Sequence, residues 1–366
     1  METKFRRIRG AVTSEKKEVN DLRERLRSAV KTWDEAALEK QRKAVQFAKT
    51  SALVVPLAVL LLTIQILAFP SPGLIAVILI SVELLSLLFA LFVLILRLGP
   101  QAGDWAHERL RAEILRREEY LLLARLGPYL KKNSPAELES VLDARLEQIE
   151  NPMNSPDSFL PLRERRPWSE ELEDAGPGRT APPEPGFLDI FKKDRVRDQR
   201  EWFWAKRNKY TKLNGRYENI IRATLALALV LSAMHLAILL LGRNPNGGEH
   251  SWLKLAVEIA AIVMPPVGSA AAAFQSLFQG RRLGRSYKLH ALELDVIHRD
   301  LTALLETYRE KTDALKRQPE NEEGMRSLEL EKDRFEFQLK RLALRTEELL
   351  TSELRVWYFV MRPGIQ

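Results

Sequence analysis

The chain has 366 residues, a formal net charge of +8, five histidines and no cysteine. The lack of cysteine excludes disulfides, thiolate metal sites and cysteine nucleophiles, and it fits a reducing compartment. The histidines show no metal-ligand spacing, and no P-loop, Rossmann or nucleophile-elbow pattern occurs. The sequence therefore predicts no enzyme, no catalytic residue, no cofactor and no metal site.

The first half of the chain predicts a charged helix followed by a membrane hairpin. Residues 1–50 mix charges densely and are almost free of Gly and Pro, which favours a long helix. Residues 51–69 are an apolar run of nineteen, about 28 Å of helix, close to the thickness of the hydrocarbon core. After a PSPG turn, residues 74–96 carry eighteen Leu, Ile, Val or Phe side chains, which outweigh the cost of a central Glu83.

Two further helices and a proline-rich segment follow this hairpin. The stretch DWAHERLRAEILRREEYLLLARLGPYL predicts an amphipathic helix that starts at Asp104 and ends near Gly127. PAELESVLDARLEQIE predicts a shorter helix, which completes a first module of residues 1–150. Eight prolines in residues 151–188 then predict an irregular linker with little core of its own.

A second module, residues 189–366, repeats the order of the first. A charged helix rich in aromatic residues leads into a third span, residues 223–241, and a polar turn separates it from a fourth span, residues 255–278. The nine Leu, Ile, Val and Phe residues of the fourth span contribute only about −4 kcal/mol, against about +3 kcal/mol for Glu258. The fourth span is therefore marginal alone and needs a partner helix.

The fourth span also carries small residues and two prolines. Gly268, Ser269 and Ala272 allow close backbone approach, so we expect this helix to face protein. Pro265 and Pro266 remove two backbone donors in mid-helix and predict a bend. The bend is either static or the hinge of a gate.

Polar residues within the spans admit two interpretations. Glu83 and Glu258 lie at membrane depth, where an ionisable group faces a bundle interior, a water path or a partner. Each either orients its hairpin in a protonated or hydrogen-bonded form, or lines a conduction path. Thr63, Gln65 and His235 are interpreted as interhelical hydrogen-bonding groups.

The placement of basic residues predicts the topology. Lys and Arg crowd one end of each span, whereas the two outer turns carry only Arg243 and Lys254. We therefore expect four spans, with both termini and the central linker in the cytoplasm. Arg281, Arg282 and Arg285 follow the fourth span and can hold anionic lipid headgroups. Topology already explains these charges, so nucleic-acid binding is not predicted.

The last two helices predict a cytoplasmic bundle, so the expected fold is an all-α membrane protein with two tandem hairpins and long cytoplasmic helices. In the first of them, apolar residues recur at steps of three and four, which places them on one face: Tyr287, Ala291, Leu294, Ile297, Leu301, Leu304 and Tyr308. In the second, apolar residues lie seven apart: Leu328, Phe335, Leu342 and Leu349.

Residues 200–366 resemble the bacterial SLATT domain, a two-span module found beside nucleotide-signalling enzymes and SLOG sensor proteins. The resemblance is carried by MPPVGSAAAAFQSL, by RRLGRSYKLHALELDVIHRDLTAL and by TEELLTSELRVWYFV, in which Glu353 and Trp357 lie one helical turn apart. Residues 20–130 match more loosely and fit a diverged copy, since the order of helix, span, turn, span and helix occurs twice.

This resemblance implies an effector of the bacterial inner membrane that acts in conflict or antiphage systems. Such an effector forms homo-oligomers and permeabilises or depolarises the membrane on a nucleotide-linked signal, received directly or through a nucleotide-signalling or SLOG partner. The alternative is a non-conducting membrane scaffold that recruits partner proteins. Within the cytoplasmic bundle, Tyr287, Glu353 and Trp357 are expected to form a docking contact, with a ligand site as the lesser alternative.

Overall fold

The computed structural model is all helical over the residues that it describes, which confirms the predicted all-α class. These residues are 2–68, 78, 81–82, 85, 104–132, 134–150, 168–241, 251–278, 280–317 and 322–361, and no strand occurs among them.

The helices follow one another along the chain as α1 (Glu2–Ala68), α2 (Asp104–Ala124), α3 (Pro135–Glu150), α4 (Trp168–Ala175), α5 (Phe187–Ile190), α6 (Asp198–Leu241), α7 (Ser251–Phe278), α8 (Gly280–Lys316) and α9 (Glu322–Met361). A short 3-10 turn, Gly127–Tyr129, follows α2, and a π-helical turn, Phe191–Arg197, joins α5 to α6. The predicted start of α2 and the predicted extent of α3 are confirmed.

The chain divides into two compact units. Unit 1 contains Met1–Leu38, Trp105–Ala205 and Ser286–Arg362, and unit 2 contains Glu39–Asp104, Lys206–Arg285 and Pro363–Gln366. Each unit takes segments from both of the predicted sequence modules.

The core of unit 1 includes the predicted face of α8. Tyr287, Leu294, Ile297 and Leu301 are buried, and Leu294 is 0% exposed. These side chains recur at steps of three and four, so they lie on one face of the helix, and that face is turned away from water. The predicted apolar face of α8 is confirmed from Tyr287 to Leu301, whereas Leu304 and Tyr308 are only half-buried.

The core face of α9 differs from the predicted one. The residues seven apart, such as Leu342 and Leu349, are only half-buried, whereas Lys340 and Glu347 are buried. Polar groups can occupy a core when other segments supply their hydrogen-bond partners. Here the partners come from segments more than 150 residues away in the chain.

Part of the predicted irregular linker is a helix, Trp168–Ala175, that belongs to the core of unit 1. Trp168 and Leu172 of α4 are buried, and the guanidinium carbon of Arg117 lies 4.3 Å from the centre of the Trp168 ring. Gly127 has a left-handed backbone with φ +57°, and a Cβ at this position would lie 2.8 Å from the Trp168 ring. Only glycine combines that backbone with such close contact to the ring.

Residues 176–186, which we call the strap, are fixed to the rest of unit 1 by polar contacts. The Lys340 amine donates to the hydroxyl of Thr180, 2.9 Å away, and to the carbonyl of Ala181. Glu184 accepts from the Arg125 guanidinium, and the Glu184 amide donates to the Leu123 carbonyl. Burial lowers the pKa of Lys340 to about 8.

Large apolar side chains of unit 2 are exposed, whereas those in the core of unit 1 are buried. In α6, Leu225 is 54% exposed, Leu229 is 73% exposed and Val230 is 56% exposed. Among the described residues, one helical stretch, Phe187–Met234, is long and apolar enough to cross a membrane. This property is compatible with membrane association.

Candidate functional site

Helices α6, α7 and α8 meet in unit 2 along a row of glycines, which we call the glycine seam: Gly268, Gly280 and Gly284. A Cβ on Gly268 would lie 2.8 Å from the Thr224 hydroxyl oxygen, and a Cβ on Gly280 would lie 3.6 Å from the Asn214 Cβ. Gly284, one turn after Gly280, also faces α6. The missing side chains let the backbones approach closely, as in helix pairs within membranes.

A chain of hydrogen bonds joins the same three helices between the two ends of the seam, Gly268 and Gly284. The Gln275 amide of α7 donates to the Asn214 side-chain oxygen over 2.9 Å, and the Asn214 amide donates to Glu218 over 2.9 Å. Arg281 of α8 donates to the same carboxylate oxygen of Glu218. Interhelical bonds of this kind add to the packing of helices in a membrane.

The structure divides the predicted small residues of the fourth span between two faces. Gly268 is buried against α6, and Ala271, three residues later, is buried with it. Pro265, Ser269 and Ala272 are exposed. The helix continues through both prolines, and Pro266 is half-buried. Ala271 was missed because the sequence alone does not show which of several small residues meets the partner helix.

The predicted polar residues of the spans are described only in part. Thr63 is buried, and its hydroxyl donates within α1, to the Val59 carbonyl at 2.7 Å. Gln65, His235 and Glu258 lie on α1, α6 and α7, with their side chains outside the described part of the structure. Glu83 lies outside the described residues altogether.

The three arginines after the fourth span have different surroundings. Arg281 pairs with Glu218, as described above. All three arginines, Arg281, Arg282 and Arg285, are exposed. Their proposed binding of lipid headgroups stays a prediction.

The predicted docking residues lie at helix contacts inside unit 1. The Tyr287 ring of α8 meets the Trp202 ring edge to face, with centroids 5.6 Å apart. The Trp357 ring of α9 meets the Trp105 ring of α2 in the same way, at 5.4 Å. One residue further along α9, the Tyr358 hydroxyl lies 3.1 Å from the ring nitrogens of His107.

Next to this contact, two arginines and two carboxylates form a closed ring of ion pairs. Arg116 binds Asp34 at 2.8 Å and Glu113 at 2.6 Å, and Arg109 binds the same two carboxylates. Burial opposes ionisation of Glu113, but the charges of Arg109 and Arg116 outweigh it and lower the pKa of Glu113. Each arginine is thus shared between two anions.

Glu353 of α9 lies beside this ring and interacts with both Glu113 and Arg109. Burial and then the charge of Glu113 raise the pKa of Glu353 to about 8, although Arg109 acts in the opposite direction. Glu353 therefore keeps its proton at neutral pH. This proton-bearing carboxyl gives the α2–α9 contact a dependence on pH.

The variant Glu353→Gln tests that dependence. The folded-state pKa of Glu353 is raised, so its stabilising contribution is present below about pH 4.5 and is lost as the pH rises through about 8. We expect the variant to match the native protein at pH 5 and to melt later at pH 8.5, by about 2–4 °C for each kcal/mol gained. Thermal unfolding in detergent, followed by circular dichroism across this range, measures the difference. The exposed Glu329→Gln is the control and should leave the pH profile unchanged, whereas a native profile in Glu353→Gln would contradict the assignment.

A buried ion pair that sequence reasoning missed lies at the centre of unit 1. Arg195 and Glu347 form two parallel hydrogen bonds of 2.6 Å, and their side chains are 4% and 2% exposed. The Arg195 guanidinium also lies 4.5 Å from the centre of the Tyr120 ring. Arg195 belongs to the π-helical turn, a rare geometry that often occurs at functional positions. The partners are 152 residues apart in the chain, so no local sequence pattern predicts that they pair.

Within the described ranges, no group of three or more metal-ligating side chains converges. Comparisons of the chain with protein-family models, with curated proteins and with solved structures find no match. The SLATT resemblance therefore stays a prediction.

Proposed function

We propose that the chain is an effector of the bacterial inner membrane with four membrane spans and both termini in the cytoplasm. In this proposal it forms homo-oligomers and permeabilises or depolarises the membrane on a nucleotide-linked signal, received directly or through a nucleotide-signalling or SLOG partner. The observation that carries membrane insertion is the exposed apolar surface of α6, next to a glycine seam that pairs α6 with α7.

The contrast between the two units supports the membrane part of the proposal. Unit 1 buries its leucines, as Leu294 shows at 0% exposure, whereas Leu229 of unit 2 is 73% exposed. Exposed apolar area costs about 25 cal/mol per Å² in water, and contiguous apolar patches mark membrane or partner surfaces. Lipid removes that cost for α6.

The exposed face of α7 supports assembly. Pro265, Ser269 and Ala272 are four and three residues apart, so they share a face, and all three are exposed. Gly268 faces α6 instead, so the exposed small face is available to a second copy after the α6–α7 pair has formed. Close contact through such small residues is a common way for helices to associate in membranes.

A dye-release measurement tests permeabilisation. The full-length protein is reconstituted in vesicles of phosphatidylethanolamine and phosphatidylglycerol that contain carboxyfluorescein, at densities where crosslinking detects oligomers. We expect release that rises steeply with protein density. The variant Ser269→Leu/Ala272→Leu should insert but release less, because bulky side chains keep the exposed faces of α7 apart.

Leu225→Ile keeps the volume of an exposed side chain on α6 and serves as the matched control, with native release expected. Sealed vesicles in the presence of crosslinked native oligomers would contradict permeabilisation.

A non-conducting scaffold is the second candidate. Unit 1 also has exposed apolar side chains, including Leu289 of α8 at 63% and Met325 of α9 at 68%. These side chains can contact partner proteins without any path through the membrane. Inserted oligomers that leave the vesicles sealed would favour the scaffold.

A further inference from the structure

Helix α6 has two different faces within unit 2. One face meets α7 and α8 through Asn214, Glu218 and Thr224. Each residue turns the helix by about 100°, so Lys212 and Arg216, two residues before and after Asn214, lie on the opposite side. Both side chains are exposed.

This opposite side carries a continuous exposed row, which we call the outer stripe. Its first part is basic and contains Lys209, Lys212 and Arg216, spaced three and four residues apart. Its second part is apolar, and it contains Ile220, Leu227, Val230 and Met234. The stripe changes from cationic to apolar within one helical turn, between residues 216 and 220.

We propose that the outer stripe binds an anionic phospholipid, with its phosphate at the three cations and its acyl chain along the apolar part. The inference rests on the proposed membrane insertion and adds the class of lipid. At 1.5 Å per residue, the basic part is about 10 Å long and the apolar part about 21 Å. The apolar part is long enough for an acyl chain of one leaflet, half of a hydrocarbon core about 30 Å thick.

The charges of the stripe favour an anionic ligand. Within the described residues, no carboxylate pairs with Lys209, Lys212 or Arg216, and the nearby Glu218 lies on the other face, bound by Asn214 and Arg281. Lysine and arginine at a membrane surface attract anionic headgroups. Lipid phosphate is thus the complementary partner.

The same charges disfavour a second copy of the chain on this stripe. Inserted copies share one orientation, so the cations of one stripe would meet the cations of the next, and like charges repel. The exposed face of α7, formed by Pro265, Ser269 and Ala272, has no such charges and suits self-association better. Lipid and oligomer contacts therefore occupy different helices.

Spin-labelled lipids test the proposal. The full-length protein is reconstituted in phosphatidylcholine vesicles with a trace of spin-labelled phosphatidylglycerol or spin-labelled phosphatidylcholine, and electron paramagnetic resonance measures the immobilised fraction. We expect the native protein to prefer the anionic label. The variant Lys209→Gln/Lys212→Gln/Arg216→Gln should lose this preference by up to about fivefold for each charge removed.

The matched control, Arg299→Gln/Lys316→Gln/Arg326→Gln, removes the same charge from exposed positions of unit 1 and should keep the native preference. An equal preference in the native protein and in the outer-stripe variant would overturn the proposal. Loss of crosslinked oligomers in that variant, with lipid preference retained, would also overturn it, because a second copy would then occupy the stripe.

The outcomes separate this inference from the proposed permeabilisation. Lipid preference with sealed vesicles would leave the lipid site standing and contradict permeabilisation. Dye release without lipid preference would leave permeabilisation standing and contradict the lipid site. A protein that does not insert would overturn both.

Discussion

The variant Arg195→Met is expected to lower the free energy of unfolding by about 3–5 kcal/mol. Burial opposes the charge of Arg195, but Glu347 outweighs that effect and raises the pKa of the guanidinium, so Arg195 keeps its charge in the core. Methionine leaves the Glu347 carboxylate buried at 2% exposure without its two hydrogen bonds. It also removes the cation from the Tyr120 ring.

Urea unfolding in detergent, followed by circular dichroism, measures this loss. Lys192→Met changes an exposed side chain of the same π-helical turn and should have little effect. The double variant Arg195→Met/Glu347→Leu removes both charges and should recover most of the stability, since a well-packed apolar pair often replaces a buried ion pair at little cost. A double variant as unstable as Arg195→Met would show that the unpaired Glu347 carboxylate is not the cause of the lost stability.

The second large effect is expected at the glycine seam. Gly268→Ala places a Cβ 2.8 Å from the Thr224 hydroxyl oxygen, so one of the two must move. This hydroxyl already donates to carbonyls of its own helix, at 2.9 and 3.0 Å, which limits its movement. Overpacking of this kind costs about 1–3 kcal/mol. Titration of the reconstituted protein with sodium dodecyl sulfate, followed by circular dichroism, measures the change.

Two controls make that prediction specific. Thr224→Ala removes the oxygen and leaves only the Thr224 Cβ, which is 3.6 Å away, so Gly268→Ala/Thr224→Ala should regain most of the lost stability. Gly215→Ala adds the same methyl group to α6, where nothing lies within 4 Å of it, and should be neutral or slightly stabilising. Equal losses from Gly268→Ala and Gly215→Ala would contradict the close contact in the seam.

Local periodicity was enough to predict the face of α8 from Tyr287 to Leu301, and it was not enough for α9. On α8 the most buried positions are apolar, as with Leu294 and Ile297, so a pattern of residue types coincides with burial. On α9, Lys340 and Glu347 are buried because the strap and the π-helical turn bring them Thr180 and Arg195. The sequence pattern of one helix does not show which distant segments of the chain pack against it.

The candidate site shows the same limit. Small residues of α7 indicated close helix packing, but only the structure shows that Gly268 and Ala271 are buried while Ser269 and Ala272 are exposed. The outer stripe of α6 depends on knowing which face meets α7 and α8. The prolines of residues 151–188 likewise did not predict the strap. Its contacts are made by Lys340 and Arg125, which lie outside that segment of the sequence.

Membrane insertion of α6 is tested most directly by cysteine accessibility, since the chain has no cysteine of its own. Single variants Lys212→Cys, Leu227→Cys and Val230→Cys are reconstituted in sealed vesicles and treated with a membrane-impermeant maleimide. If α6 lies in lipid, Lys212→Cys reacts, whereas Leu227→Cys and Val230→Cys react only after the vesicles are dissolved in denaturing detergent. Labelling of Val230→Cys in intact vesicles at the rate of Lys212→Cys would contradict membrane insertion.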